Sequence, residues 1–258
     1  LMMWLMIYRN VKLGHQMRAI TILVPTYDER DNIRDLIERL LLAMARVKTQ
    51  IIIIDDNSPD GTADVVREEF SSDERVTLLE RPNKMGLGSA ILEGLKTSQG
   101  DYIVMMDADL SHRPEDVPQL IQKADMADIV VGSRYIKGAS IKGWSWFRKL
   151  ASRMAILLAK SLVRFPVDDP TSGFAVFDRR VLDRLSGQLN PKGFKILTEI
   201  LVKSPGAVVN EVPITFSDRQ SGKSKFSFRE ILVFLRLCIH LRSYQRRDNV
   251  GRQRWNSK

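Results

Sequence analysis

Cysteine is almost absent: Cys238 is the only one in 258 residues, which excludes an internal disulfide framework and any multi-cysteine zinc site. Set in an apolar stretch, it reads as a small buried hydrophobe, and a reducing, cytoplasm-facing compartment fits. Histidine is nearly as scarce. His15, His112 and His240 stand far apart, so a histidine-built zinc site is not expected. No run reaches the roughly 18 apolar residues that a spanning helix needs. The apolar opening, residues 1–8, is too short for one and has neither a basic flank before it nor a small-residue cleavage site. It reads as an interfacial anchor, a packed extension or a start-site artefact. Internal repeats and obvious linkers are also missing, so one domain with a C-terminal appendage is expected.

What is present is a globular composition, 44% hydrophobic and 28% charged, with a formal net charge of +9. The excess of basic residues suits an anionic partner: nucleic acid, a membrane surface or a phosphorylated substrate. Charge alone selects none of these. From residue 19 to 132 short β-branched runs alternate with amphipathic stretches. Strands are expected at 19–24, 51–54, 76–79, 102–106 and 129–131. Helices are expected at 31–44, with Asp31 as N-cap, and at 62–70, 89–96 and 114–124. Such strand–helix–strand repeats imply an α/β fold whose mostly parallel central sheet has helices on both faces. Beyond Gly132 helices are expected at 146–162, 195–203 and 225–241, with a strand at 208–216. The tail 242–258, with six basic residues against Asp248, is expected to lack structure.

In such sheets ligands bind at the carboxyl ends of the strands, and three polar clusters fall there. Asp107-Ala108-Asp109 follows an apolar strand; two carboxylates on one turn suit Mg²⁺ or Mn²⁺ shared with a diphosphate. Asp55-Asp56 ends the second strand and can accept from a base or ribose, while Asp60 and Thr62 read as turn and capping residues. Pro25, Tyr27 and Glu29 hold the equivalent place after the first strand, where a ring face and an acceptor can grip a nucleobase. Residues 84–89 lack the spacing of a triphosphate loop and read as a tight strand-to-helix turn. Arg148 and Ser152 lie four apart on one helix face and, with Arg134, either clamp a second phosphate or form a solvated basic face. Residues 219–225 form a basic loop suited to a lid over a diphosphate.

Five motifs occur in order: V-P-T-Y-D-E at 24–29, I-I-D-D-N-S-P-D-G-T at 53–62, D-A-D-L-S-H at 107–112, G-S-R-Y at 132–135 and R-x-x-G-x-S-K at 219–225. This set resembles the dolichol-phosphate mannosyltransferases, inverting glycosyltransferases with a GT-A, nucleotide-diphospho-sugar transferase fold. The resemblance implies a GT-A domain over 19–228, followed at 229–258 by an amphipathic helix and basic tail that associate with membrane. It implies that Pro25, Tyr27, Glu29, Ile54 and Asp56 hold the guanosine of GDP-mannose. Asp107, Ala108 and Asp109 would surround the diphosphate. Asp109, with Asp107 and Ser111, would hold Mg²⁺ or Mn²⁺. Arg134 would sit between donor and acceptor, with Asp107 and Asp109 in the catalytic centre. Arg148 and Ser152 would bind the phosphate of dolichyl or another polyprenyl phosphate, and Arg219 and Lys225 the donor's phosphates.

This chain has Ser111 where some members have Gln. It also lacks the hydrophobic spans that many carry after the catalytic domain, since Arg229, Glu230 and Arg236 interrupt its last apolar stretch. A peripheral position on the cytoplasmic face of a plasma or endoplasmic reticulum membrane is therefore expected, resting on the bilayer or on a small anchoring subunit. No nucleic acid partner is expected. A UDP-glucose-dependent polyprenyl-phosphate glucosyltransferase is the near alternative. A non-catalytic nucleotide-binding module is the distant one, and it would have no use for the Asp107/Asp109 turn.

Overall fold

Runs of β-branched residues form strands and the amphipathic stretches between them form helices. The computed structural model describes residues 18–190, 195–218 and 228–255. Its first half contains β1 (Ile20–Thr26), α1 (Arg30–Ala43), β2 (Thr49–Asp55), α2 (Thr62–Phe70), β3 (Val76–Glu80), α3 (Leu87–Thr97) and β4 (Tyr102–Met105). A 3₁₀ turn at Pro114–Asp116 leads into α4 (Val117–Ala124) and then β5 (Ile129–Ser133). The second half contains β6 (Ser140–Ile141), α5 (Trp146–Leu162), β7 (Ala175–Asp178), α6 (Arg179–Arg184), α7 (Ile196–Lys203), β8 (Val209–Pro213), β9 (Thr215–Phe216) and α8 (Phe228–Trp255).

Seven strands form one sheet in the order β3-β2-β1-β4-β7-β5-β8. All neighbours run parallel except β7, which is antiparallel to both β4 and β5. Alternate residues of the parallel strands feed opposite faces. Ile22, Val24, Ile51, Ile53 and Val104 pack under α1 and α4. Leu23, Ile52, Ile54, Ile103 and Met105 pack under α3 and α7. Both faces are dry, which is why these strands read as unbroken apolar runs. A third cluster joins α5, α7 and α8 through Ala159, Val202, Phe234 and the buried Cys238.

Four local expectations are corrected. The strand expected over 208–216 is two strands, since β9 leaves the main sheet to pair with β6. The strand β7 was not foreseen: four residues are too few to show a period. Asp31 lies inside the first turn of α1, whose N-cap is Glu29. Its cap comes from across the chain, where Asp60 accepts from Arg30 N at 3.0 Å and from Thr62 N at 2.9 Å. One carboxylate thus serves the starts of two helices. Finally, residues 242–255, expected to lack structure, continue α8. They contain arginine and glutamine but no proline, and lengthening an existing helix needs no new nucleus.

Gly100 marks the tightest approach of a loop to the sheet. A Cβ there would lie 2.4 Å from Thr21 N, and backbone cannot yield as a side-chain tip can. Gly100→Ala is expected to cost about 1–3 kcal/mol. Thermal unfolding followed by circular dichroism should show this as a fall in Tm of roughly 2–12 °C.

Candidate active site

The register puts the carboxyl ends of β1, β2 and β4 side by side, with Thr26 opposite Asp55 and Leu23 opposite Met105. Each of the three turns that follow contains one non-glycine residue in the left-handed region: Asp28 (φ 58°), Asn57 (58°) and Leu110 (57°). Asp and Asn tolerate that conformation, whereas for Leu it costs roughly 1–2 kcal/mol. Leu110 is buried in the core, and the bend lets Ser111 N donate to Asp109 Oδ1 at 3.1 Å.

These turns border a cavity of about 460 Å³, a size suited to a small organic ligand. Of the residues singled out in the sequence, Pro25, Tyr27, Glu29, Asp56, Asp107, Ala108, Asp109 and Arg134 line it. Ile54 is fully buried within the core on the α3 side, and Ser111 is also buried; neither lines the cavity. Arg219 and Lys225 lie outside the described residues. Lys84 and Gly86 line the cavity as well, so the turn at 84–89 takes part in the site. The Lys84 ammonium stands 3.2 Å above the Tyr27 ring.

The neighbouring aspartates of the second strand have separate tasks. Asp55 is used within the fold, accepting from Thr26 Oγ1, Ser58 N and Ser58 Oγ. Asp56 accepts from the buried Arg81 guanidinium on one oxygen and from Gly86 N at 2.8 Å on the other. It therefore anchors the Lys84 turn while lining the cavity. Each carboxylate oxygen has a second lone pair for a ligand.

The least foreseen part of the site is the segment before β7. Because β7 is antiparallel, its first residue, Ala175, faces Met105 of β4 and Val131 of β5. The chain entering β7 therefore passes among the carboxyl ends of its neighbours. Pro170, Thr171, Ser172 and Gly173 line the cavity. A Cβ at Gly173 would sit 2.4 Å from Asp107 Oδ2, so only glycine lets that carboxylate rest there. Asp169, fully buried, takes both Nε and Nη2 of Arg134 at 2.7 Å. Burial pushes the Asp169 carboxyl up, and the Arg134 charge with its hydrogen bonds outweighs this, holding it below the usual carboxylate range. The available sequence signal was a polar Asp-Asp-Pro-Thr-Ser-Gly run ahead of an apolar one. His112 was also missed; it is buried and lines the cavity.

Arg134, Arg148 and Ser152 come together through aromatic side chains. Both guanidinium groups lie against the Trp144 ring, Arg134 at 5.8 Å and Arg148 at 4.1 Å from its centroid. Arg148 also donates to Asp218 at 3.1 Å. Ser152 Oγ and the Tyr135 hydroxyl are 2.7 Å apart. The cap that starts α5, Ser145 accepting from Arg148 N, sets the position of both helix residues.

Comparison with known proteins identifies this arrangement. Residues 21–186 match the family model described as Glycosyl transferase family 2. The chain belongs to that family. Within it, this glycosyltransferase is 38% identical over 231 residues to the dolichol-phosphate mannosyltransferase of Pyrococcus furiosus, covering 88% of this chain and 64% of that protein. It is 36% identical over 225 residues to the Saccharomyces cerevisiae protein of the same name, covering 83% and 84%. With the Mycosarcoma maydis protein, again of that name, it shares 34% over 233 residues, covering 86% and 79%. The chain thus spans less than two thirds of the archaeal relative and most of the fungal ones.

Solved structures confirm the GT-A fold. Glucosyl-3-phosphoglycerate synthase from Mycobacterium tuberculosis, bound to Mn²⁺, UDP and glucosyl-3-phosphoglycerate, superposes with a TM-score of 0.65 at 18% identity, covering 91% of this chain and 81% of that one. The mannosyltransferase PcManGT from Pyrobaculum calidifontis, with GDP-Man and Mn²⁺, gives 0.59 at 17%, covering 97% and 82%.

Asp169→Asn would remove one partner of a buried ion pair, a loss of about 3–5 kcal/mol at pH 7. A carboxyl held below its unfolded pKa of about 3.9 contributes stability above that value and loses it as pH falls through the folded one. The gap between wild type and variant in urea unfolding should therefore be full at pH 7 and shrink below about pH 3.9. A constant gap across that range would remove Asp169 as the charged partner.

Proposed function

We propose that this glycosyltransferase moves mannose from GDP-mannose to dolichyl or another polyprenyl phosphate, with inversion at the anomeric carbon. The observation that carries the reading is the position of Arg134. It lines a cavity edged by carboxylates and shares the Trp144 ring with Arg148, so a donor site and a second anion site meet at one residue. The family membership and the named relatives support the same reading.

Pro25, Tyr27, Glu29 and Asp56 take the guanosine, with Ile54 in the core behind them. Asp107, Ala108 and Asp109 border the diphosphate, and Arg219 and Lys225 complete its contacts. A divalent cation, Mg²⁺ or Mn²⁺, belongs with Asp107 and Asp109, and Ser111 stands beside them. The residues fit such an ion: Asp107 rests where Gly173 leaves room for it, and the buried Ser111 Oγ has no hydrogen-bond partner among the described residues. No group of three His, Cys, Asp or Glu side chains gathers there among the described residues. That suits an ion that keeps waters and shares a diphosphate rather than one caged by protein. When bound, the cation offsets negative charge on the leaving diphosphate.

Arg134, Arg148 and Ser152 hold the acceptor phosphate. A phosphate monoester has a second pKa of about 6 and arrives ionised near neutral pH, so no side chain is assigned as a base. The phosphate oxygen attacks the anomeric carbon from the face opposite GDP, the bond from that carbon to the diphosphate breaks, and GDP departs with the electron pair.

The lipid implies a membrane surface, and α5 supplies a face for it. Trp146 and Phe147 are 75% and 64% exposed, and Leu150, Met154, Leu157 and Leu158 are exposed beyond them. Lys149 and Arg153 are on the same helix, a pattern suited to lying in an anionic interface. No helix among the described residues is long and apolar enough to cross a membrane. The same reading assigns this surface to the cytoplasmic face of a membrane.

A radiolabelled panel of GDP-mannose, UDP-glucose and UDP-N-acetylglucosamine with short polyprenyl phosphates tests the donor. Transfer from GDP-mannose alone, abolished by chelation and by Asp109→Ala, is expected; transfer from UDP-glucose alone would replace the reading with its near alternative. Arg148→Ala should raise KM for the lipid about 10- to 100-fold, as loss of a charge-assisted hydrogen bond implies, and leave GDP binding unchanged. Equal losses for donor and acceptor would remove Arg148 from the acceptor site. Co-sedimentation with anionic vesicles should fall when Trp146 and Phe147 are both changed to Ser. If the chain sediments only with an added small subunit, α5 is not the membrane contact.

A further inference from the structure

His112 is 1% exposed, and neither ring nitrogen has a hydrogen-bond partner among the described residues. A buried polar group left unpaired normally costs about 1–3 kcal/mol, and most proteins avoid one. The ring is fixed by its surroundings, packing 5.3 Å from Phe174 and 5.2 Å from Phe216 between centroids. Its Nδ1 lies 3.6 Å from Asp107 Oδ2, just beyond hydrogen-bond reach. That same oxygen is the atom pressed toward Gly173. Asp107 is therefore held between a surface that admits no side chain and an imidazole nitrogen that has nothing else to bind.

From this we infer that His112 is a positioning residue for the cation site: its Nδ1–H is donated to Asp107 when that carboxylate turns to a divalent ion. The inference rests on the reading of Asp107 and Asp109 as the cation site. Donation from Nδ1 requires the proton on that nitrogen, which in the neutral imidazole leaves the lone pair on Nε2. An outer partner of this kind fixes the direction of the carboxylate and its basicity, and losing one typically weakens metal binding. The short shift needed is available on the carboxylate side, because Asp107 is half-exposed whereas the imidazole is locked between two aromatic rings.

The test measures Mn²⁺ affinity without turnover, by electron paramagnetic resonance of free Mn²⁺ with the full chain and GDP. His112→Phe fills the ring space and removes the donor, whereas His112→Asn places an amide N–H near the position of Nδ1. Affinity is expected to fall about 10- to 100-fold in the Phe variant and to stay within about threefold in the Asn variant. The Phe variant should melt no lower than wild type, because it deletes unpaired buried nitrogens. Should it not fold, His112→Leu against His112→Asn makes the same comparison. Wild-type affinity in the Phe or Leu variant, or equal losses in the Asn variant, overturns the inference. If wild type binds no Mn²⁺, or Asp109→Ala binds it unchanged, the cation reading itself fails and the inference goes with it.

Discussion

Two opposite charges in a dry interior organise this site. Asp169 has no solvent contact and the Arg134 side chain keeps only 8% exposure, at the cavity wall, so each charge is balanced mainly by the other. The two parallel hydrogen bonds between them fix both distance and plane. Their backbone attachments make the constraint wider than a pair. Arg134 directly follows β5, while Asp169 begins the segment that leads into β7. Closing the pair draws that segment across the ends of the central strands, and Ser172 adds a bond to Gly132 O at 2.7 Å. Gly173 is then delivered against Asp107. The carboxylate on one side of the cavity and the arginine on the other are thus spaced by four residues of one loop.

The two ends of the site differ in charge. Toward the parallel strand ends the cavity offers carboxylates and backbone turns, with the Lys84 ammonium over the Tyr27 ring among them. Toward α5 it is lined by Arg134, and Arg148 lies beyond the lining against the Trp144 ring. Two of the three Arg134 nitrogens are engaged by Asp169, so its charge is largely balanced at rest. Arg148, stacked on Trp144 and bonded to Asp218 at the surface, is the more accessible cation. Under the proposed reading, an acceptor phosphate would meet the more exposed Arg148 first and the more buried Arg134 second.

How much of this was legible depends on the residues concerned. The strands carrying Thr26, Asp55 and Met105 are buried on both faces, so their apolar runs were plain and the polar clusters at their ends could be placed. The spacing of Arg148 and Ser152 on one helix was equally plain. The Asp169–Gly173 segment was not, because its importance comes from the direction of a four-residue strand, and direction leaves no trace in composition. The burial of His112 was hidden for a related reason: the aromatic rings that enclose it, Phe174 and Phe216, lie 62 and 104 positions away in the chain. Asp31 looked like a cap because local sequence cannot reveal that Asp60, from another loop, already fills that role.

The antiparallel strand has a consequence for how the protein is made. Strands β3, β2, β1 and β4 are adjacent and all precede residue 106, so they can pair as soon as they leave a ribosome. The slot between β4 and β5 stays open until residues 175–178 arrive to fill it. During that interval the aspartate turn exists without its glycine wall, and an apolar strand edge is bare. A chain made only as far as β5 therefore holds the turns after β1, β2 and β4 but not the Asp169–Gly173 segment, and its unpaired β4 edge is the part most open to wrong pairing.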